Sequence, residues 1–224
     1  MKLTHVIEAQ QFSREWLEKE LFPLTERMEE IAQRDGESSL TGKRMITFFY
    51  EPSTRTHASF CLAMSLLGGQ VAFSTENARQ SSSVAKGETI EDTIRVLASY
   101  RPDVIVLRTD QEGMVKRAAE FSSVPIINAG DGMGQHPTQA LLDLYTIKKE
   151  LGKIDGISLA MVGDLARGRT VRSLCYLLGK FADIKIYFIS PEVLRMRDDI
   201  KDYLQRHNIP FSEGFDLREV APQA

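Results

Sequence analysis

Apolar residues along the chain fall alternately into short unbroken runs and helical stripes. Trp16, Leu17, Leu21, Leu24 and Met28 recur at helical spacing within 13–33, Ser13 stands at the expected N-cap, and Pro23 predicts a kink or break there. The run Met45-Ile46-Thr47-Phe48-Phe49-Tyr50 predicts a buried strand. Further strands are predicted over 71–74, 104–107 and 125–128, with helices over 54–67, 89–99 and 113–121. This βαβα order implies a parallel sheet whose right-handed crossovers cover both faces.

A second series begins after a helical stretch over 136–150 and the turn-rich joint Leu151-Gly152-Lys153-Ile154-Asp155-Gly156. It predicts a strand over 157–162, a helix from Gly168 to Phe181, a strand over 184–189, a helix from Pro191 to Arg206 and a short strand near 209–211. The expected fold class is α/β, with two domains that are each a parallel-sheet βαβ sandwich. The expected division is 1–135, a linking helix over 136–150, and 151–224. With two or three strands and the tail Ala221-Pro222-Gln223-Ala224, the second domain is expected to be incomplete.

Composition narrows the possibilities further. A chain of 224 residues, 42% hydrophobic and 26% charged, is neither disordered nor a single short module. Lys plus Arg number 28 against 31 Asp plus Glu, so no global positive field draws nucleic acid or an anionic membrane, and neither is an expected partner. An anion must then be held by a local cluster. Cys61 and Cys175 stand alone in apolar helical contexts and read as buried thiols, with no metal-ligand spacing and no disulfide framework. The N-terminal residues contain no apolar leader and no run of about 18 apolar residues occurs, so the expectation is a soluble cytoplasmic protein.

The strongest local cluster is Ser53-Thr54-Arg55-Thr56, directly after a predicted buried strand and at the start of a predicted helix. A helix N-terminus offers unpaired amides and partial positive charge, the hydroxyls add donors, and an arginine can fork two phosphate oxygens. Simple capping with a surface arginine accounts for one hydroxyl but not for three plus a guanidinium. Arg108 ends the run 104–107, at the strand end where open α/β sheets bind ligands, although a solvated arginine reads equally well there. His136 follows the glycine-rich turn Gly130-Asp131-Gly132-Met133-Gly134 and by itself reads as a cap or surface residue. Residues 80–87 read as a solvated polar loop. The block Gly163-x-x-x-x-Gly168-Arg169-Thr170 differs from a nucleotide-binding P-loop by Arg in place of Lys. That alternative replaces a compact lysine with a planar fork and leaves the other clusters unexplained.

Four ordered blocks carry a resemblance across essentially the whole chain: Phe49-Tyr50-Glu51-Pro52-Ser53-Thr54-Arg55-Thr56, Lys86-Gly87-Glu88-Thr89, Gln135-His136-Pro137-Thr138-Gln139, and Gly163-Asp164-Leu165-Ala166-Arg167-Gly168-Arg169-Thr170. Together they resemble the aspartate and ornithine carbamoyltransferases, with Glu51, Lys86-Gly87-Glu88 and Met161-Val162-Gly163-Asp164-Leu165 fitting the aspartate branch. One departure is His57, where the family commonly has a second arginine, so a supporting salt bridge is in question.

The resemblance implies the carbamoyltransferase fold and transfer of a carbamoyl group from carbamoyl phosphate to L-aspartate, with no metal or organic cofactor. It implies that Ser53, Thr54, Arg55 and Thr56 cradle the phosphate with Arg108. His136, Thr56 and Arg108 would reach the carbamoyl oxygen, and Gln139 would face its amide. Arg169, supported by Glu51, would bind a carboxylate of aspartate, assisted by Thr170. Ser82 and Lys86 would enter a neighbouring subunit's site, so a homotrimer is implied; Ser81 to Ser83 are consecutive serines, and the register rests on counting back from Lys86. A regulatory chain or another enzyme of pyrimidine synthesis is admitted as a partner. The family continues beyond this length, so the chain is expected to be truncated at its C-terminus, weak in substrate binding, and to leave an apolar strip uncovered. Alternatives are a sister transferase using ornithine, or a non-catalytic assembly subunit of the same fold.

Overall fold

The computed structural model describes residues 3–220. In chain order the elements are α1 (Arg14–Trp16), α2 (Phe22–Gln33), β1 (Arg44–Phe49), α3 (Thr54–Leu66), β2 (Gln70–Thr75), α4 (Ala78–Ser81), α5 (Ile90–Ser99), β3 (Val104–Thr109), α6 (Met114–Glu120) and β4 (Ile126–Asp131). They continue with α7 (Pro137–Leu151), β5 (Ser158–Val162), α8 (Arg169–Leu178), β6 (Lys185–Ile189), α9 (Asp198–Arg206), β7 (Phe211–Gly214) and α10 (Leu217–Val220). None of the described helices is long and apolar enough to cross a membrane.

The chain divides into two compact units. The first takes residues up to Ile7 and Lys19–Gly134; the second takes Glu8–Glu18 and everything from Gln135 onward. In the first, four parallel strands lie in the order β2-β1-β3-β4. Strand parity builds its core. Ile46, Phe48 and Tyr50 of β1 and its exit join Ile90, Ile94 and Leu97 of α5 and Val115 and Ala118 of α6, whereas Met45 and Phe49 pack with Phe60 and Met64 of α3. Each such large side chain contributes on the order of 2 kcal/mol by leaving water. Val6 bridges to Ile127 and covers the outer edge of β4, while β2 forms the opposite edge and leaves Phe73 exposed.

The second unit holds the parallel sheet β5-β6-β7. Leu174, Cys175, Leu177 and Leu178 of α8 and Ile200 and Leu204 of α9 are buried beside it. Residues Ala9–Gln11 form a short 3-10 turn packed against α8 and α7, and Phe12 stacks on Trp16 at 4.8 Å. Arg14 then pairs with Asp155 through two hydrogen bonds of 3.0 and 2.6 Å.

Four local expectations are corrected. The helix over 13–33 is not broken at Pro23: a π turn at Leu17–Leu21 absorbs the irregularity, and Pro23 falls in the first turn of α2, where its missing N–H costs nothing. The helix expected from Pro191 begins at Asp198, because Pro191 and Arg195 are extended around a 3-10 turn, and Asp198 and Asp199 suit the positive N-terminal end. Residues 80–87 are ordered by α4 and a 3-10 turn at Ser83–Lys86. Only Cys175 is fully buried, which pushes its thiol pKa up; Cys61 is half-buried, 3.9 Å from His57 Nε2.

Arg172, buried on α8, meets the Asp199 carboxylate of α9 through a fork of 2.9 and 2.6 Å. Burial pushes the Asp199 carboxyl up, but the hydrogen bonds and charge of Arg172, helped by Arg197, outweigh it and hold the group below its ordinary range. A carboxyl depressed in the folded state stabilises above its unfolded pKa of about 4 and loses that contribution as pH falls through the lower folded value. Asp199→Asn should therefore cost about 2 kcal/mol at about pH 7, less than a fully buried pair because water reaches Asp199. The difference from wild type should shrink in acid. Urea unfolding followed by Trp16, the single tryptophan and part of the same unit, reads this directly. An equal difference at about pH 7 and about pH 3 would rule the pair out as a contributor.

Candidate functional site

In the first sheet the chain moves from β1 outward to β2, then returns to place β3 on the other side of β1. The order therefore reverses between β1 and β3, and the carboxyl ends of these two strands flank the crevice where open α/β sheets bind ligands. Phe49 pairs with Arg108 across that boundary, and Tyr50 N donates to Arg108 O at 2.8 Å. The motif Ser53–Thr56 leaves β1 at this point and opens α3.

Ser53 is the N-cap of α3, yet its side chain makes no capping hydrogen bond; its hydroxyl donates instead to Thr56 Oγ1 at 3.0 Å. The helix thus keeps its N-terminal amides uncapped by that side chain, beside a linked pair of hydroxyls. Thr54 and Arg55 are exposed, and among the described residues Arg55 makes no hydrogen bond or ion pair. Arg108 is the opposite case. Its side chain is 8% exposed, with Nη1 donating to Ala129 O at 3.0 Å and Nη2 lying 3.2 Å from Glu51 Oε2. One strand end thus presents an unengaged arginine at the surface, and its neighbour a fixed, buried one.

The turn after β4 is shaped by Asn128 and Asp131, neither singled out by the sequence pattern. Asn128 Oδ1 accepts from Gly130 N at 2.8 Å, and Asp131 Oδ2 accepts from Gly113 N at 3.1 Å. Gly132 has φ +53, and a Cβ there would lie 2.8 Å from Glu112 N and 2.9 Å from Asp110 O, so the close approach of these two strand ends admits only glycine.

Within Lys86-Gly87-Glu88-Thr89 most positions are architectural. Gly87, at φ 91, ends the 3-10 turn; Thr89 caps α5 by accepting from Asp92 N at 3.2 Å; and Glu88 accepts from the buried Thr93 hydroxyl at 2.7 Å. Lys86 alone is left over: it is exposed and makes no hydrogen bond or ion pair among the described residues. Ser82 donates to Ala78 O at 2.6 Å and accepts from Val84 N at 3.2 Å. Arg79 forks Asp110 at the end of β3, which anchors this segment and holds the Asp110 carboxyl below its usual range.

The remaining candidates lie in the second unit at two helix N-termini. His136 precedes α7 and is buried; its amide donates to Ser173 Oγ of α8 at 2.9 Å, and Ser173 donates to Gln135 Oε1 at 2.8 Å. Ala9 N and Gln10 also bond to the Gln135 amide, so the start of α7 is held from two directions. Gln139 donates to Asp143 at 2.8 Å, and burial raises the Asp143 carboxyl against that bond. Arg169 and Thr170 open α8 after Gly168, half-buried. Ser173 lies one turn beyond Arg169, and a small hydroxyl on an otherwise buried helix is its only signal in the sequence. Among the described residues, no group of three or more His, Cys, Asp or Glu could hold a metal ion.

The signature of the aspartate/ornithine carbamoyltransferase carbamoyl-P binding domain matches residues 4–149. The chloroplastic aspartate carbamoyltransferase of Arabidopsis thaliana is 57% identical over 221 residues, 98% of this chain and 56% of that protein. The chain thus spans little more than half the length of that relative. Among solved structures, the catalytic subunit of Methanocaldococcus jannaschii aspartate transcarbamoylase superposes with a TM-score of 0.87 at 49% identity, covering 97% of this chain and 70% of that one. The Trypanosoma cruzi aspartate transcarbamoylase in complex with carbamoyl aspartate and phosphate gives a TM-score of 0.87 at 38% identity, covering 96% and 70%. The expectation of a cytoplasmic protein is overturned by the chloroplastic plant relatives from Arabidopsis, pea and rice. Composition and hydropathy describe a folded surface, which is the same in either compartment, and import segments leave no trace in the folded part. With the signature spanning the whole β1–β4 sheet and the Ser53–Thr56 turn at its reversal point, the chain belongs to the aspartate/ornithine carbamoyltransferase family.

Proposed function

We propose that this protein transfers the carbamoyl group of carbamoyl phosphate to the α-amino group of L-aspartate, giving N-carbamoyl-L-aspartate and phosphate for pyrimidine synthesis. The observation that carries the reading is the uncapped first turn of α3, with Arg55 unengaged, set at the sheet's reversal beside buried Arg108. The T. cruzi relative has been seen with carbamoyl phosphate and aspartate together, which supports the choice of substrates.

In this reading the Ser53–Thr56 amides and hydroxyls and Arg55 grip the phosphate, with Arg108 as a second, preset cation. The aspartate amine attacks the carbamoyl carbon, the carbonyl π electrons move to oxygen, and collapse of the tetrahedral intermediate expels phosphate, which takes the amine proton. Thr56, Arg108 and His136 stabilise the charge developing on the carbonyl oxygen, and Gln139 faces the amide. Arg169, with Glu51 in support, and Thr170 bind an aspartate carboxylate. The remaining gain comes from holding two anions in register. Ser82 and Lys86 come from a neighbouring subunit of a homotrimer; the edge strand β2 with Phe73 47% exposed, Leu62 of α3 61% exposed, and the unengaged Lys86 support that assembly.

Arg55→Ala should weaken carbamoyl phosphate binding by at least about tenfold in calorimetry while moving stability by less than about 0.5 kcal/mol, since the exposed Arg55 side chain makes no hydrogen bond or ion pair among the described residues. Unchanged affinity would refute the phosphate assignment. His136→Ala should lower kcat about a hundredfold, with a much smaller change in KM, if it acts on the developing oxyanion. A sharing test is independent of both: Lys86→Ala and Arg55→Ala, each inactive alone, should recover roughly a quarter of wild-type activity when mixed and reassembled as trimers. No recovery would place Lys86 in its own subunit's site.

A further inference from the structure

His57 directly follows the anion-binding turn, and its ring is turned inward, with the side chain 16% exposed. The ring stands edge-on to Phe49, with centroids 5.3 Å apart. Nδ1 lies 2.9 Å from Glu76 Oε1, just beyond β2; Nε2 lies 2.5 Å from Ser74 Oγ on β2 and 3.0 Å from Thr47 Oγ1 on β1. Thr47, fully buried, donates to Ser74 Oγ at 3.1 Å. With its hydrogen on Nδ1, the ring donates to Glu76 and leaves Nε2 to accept from Ser74, whose oxygen accepts from Thr47, so each group finds a complementary partner.

We propose that His57 is a positioning residue for the phosphate-gripping turn. Through Thr47, Ser74 and Glu76 it pins the start of α3 to β1 and to the end of β2. Among the described residues the first turn of the helix has no other side-chain tether to the sheet, and its N-cap Ser53 makes no side-chain cap bond. An anion site made of amides and hydroxyls binds well only if the donors already converge, since ordering them at the moment of binding costs affinity. Ring packing on Phe49 alone would hold the helix by shape; the polar links to two strands fix its rotation and height as well. The proposal rests on the reading of Ser53–Thr56 as a phosphate site, but the pinning itself can be measured without ligand.

The test compares the intact wild-type chain with His57→Phe, which fills the space but removes the polar links, and His57→Arg, which restores a donor to Glu76. Glu76→Gln and the double variant complete a cycle. Hydrogen exchange is followed without ligand at the amides whose bonds close the first turns of α3, beginning with His57 N, which donates to Ser53 O at 2.9 Å, with α5 as internal reference, and affinity for inorganic phosphate and carbamoyl phosphate is measured by calorimetry. His57→Phe should speed exchange at the start of α3 but not in α5, and weaken both anions about tenfold; His57→Arg should recover to within about threefold, and Glu76→Gln should add little on top of His57→Phe. If His57→Phe leaves exchange and affinity at wild-type levels, the ring is only a spacer and the proposal falls. Should the wild type bind neither anion, the phosphate reading fails, while the exchange data still decide whether His57 pins the turn. If His57→Phe does not fold, Glu76→Gln carries the same two readouts: faster exchange with weaker binding upholds the proposal, and no change overturns it.

Discussion

Burying the guanidinium of Arg108 requires partners that are in place before any ligand arrives, and the pairing of β3 with β1 on one side and β4 on the other supplies them. Desolvating such a charge costs several kcal/mol unless it is met by an opposite charge and by acceptors of fixed geometry. Ala129 O comes from β4 and Glu51 from the exit of β1, so both strands that flank β3 contribute one partner each. The Ser53–Thr56 turn inherits its position from the pairing of β1 with β3, because Tyr50 is hydrogen-bonded to Arg108 only a few residues before α3 begins. A shift of register between β1 and β3 would therefore disturb both cationic elements together.

The hydrophobic core and the site divide the same strand between them. Even positions of β1 pack toward α5 and α6 and odd positions toward α3, leaving the strand's carboxyl end to lead into the candidate site at Ser53–Thr56. The block at 86–89 shows a similar economy: a left-handed glycine, a helix cap and an anchored glutamate form the scaffold that leaves one lysine at the surface. In the second unit, Ser173 links the amide of His136 to Gln135, so a helix start bearing a candidate donor is held by the helix that bears Arg169.

Much of this is legible in the order of the amino acids alone. The apolar run at 45–50 and the spacing of later runs locate the strands because burial on both faces leaves no polar alternation to confuse the period. The cluster at 53–56 is readable because capping cannot employ so many donors. Other features depend on tertiary neighbours. That Glu51 meets Arg108, that Asn128 and Asp131 build the turn after β4, and that Arg172 meets Asp199 are facts of sheet order and helix packing, which no local window contains. Pro191 suggests a helix start, whereas its backbone is extended and the first turn of α9 forms only at the two aspartates. The apolar surroundings of Cys61 suggest burial, although its position four residues after His57 puts the two side chains on one helical face.

The placement of Glu8–Glu18 has consequences for how this protein can be taken apart. The eleven residues that wedge Ala9, Phe12 and Leu17 into the second unit are threaded between two stretches of the first. A scissile point after Gly134 would look natural in the primary structure, yet the carboxyl fragment it released would lack the strap that ties Gln135 and Asp155. Neither half is a contiguous gene segment, so an autonomous second module would have to be engineered by circular permutation or by grafting the strap back through a linker.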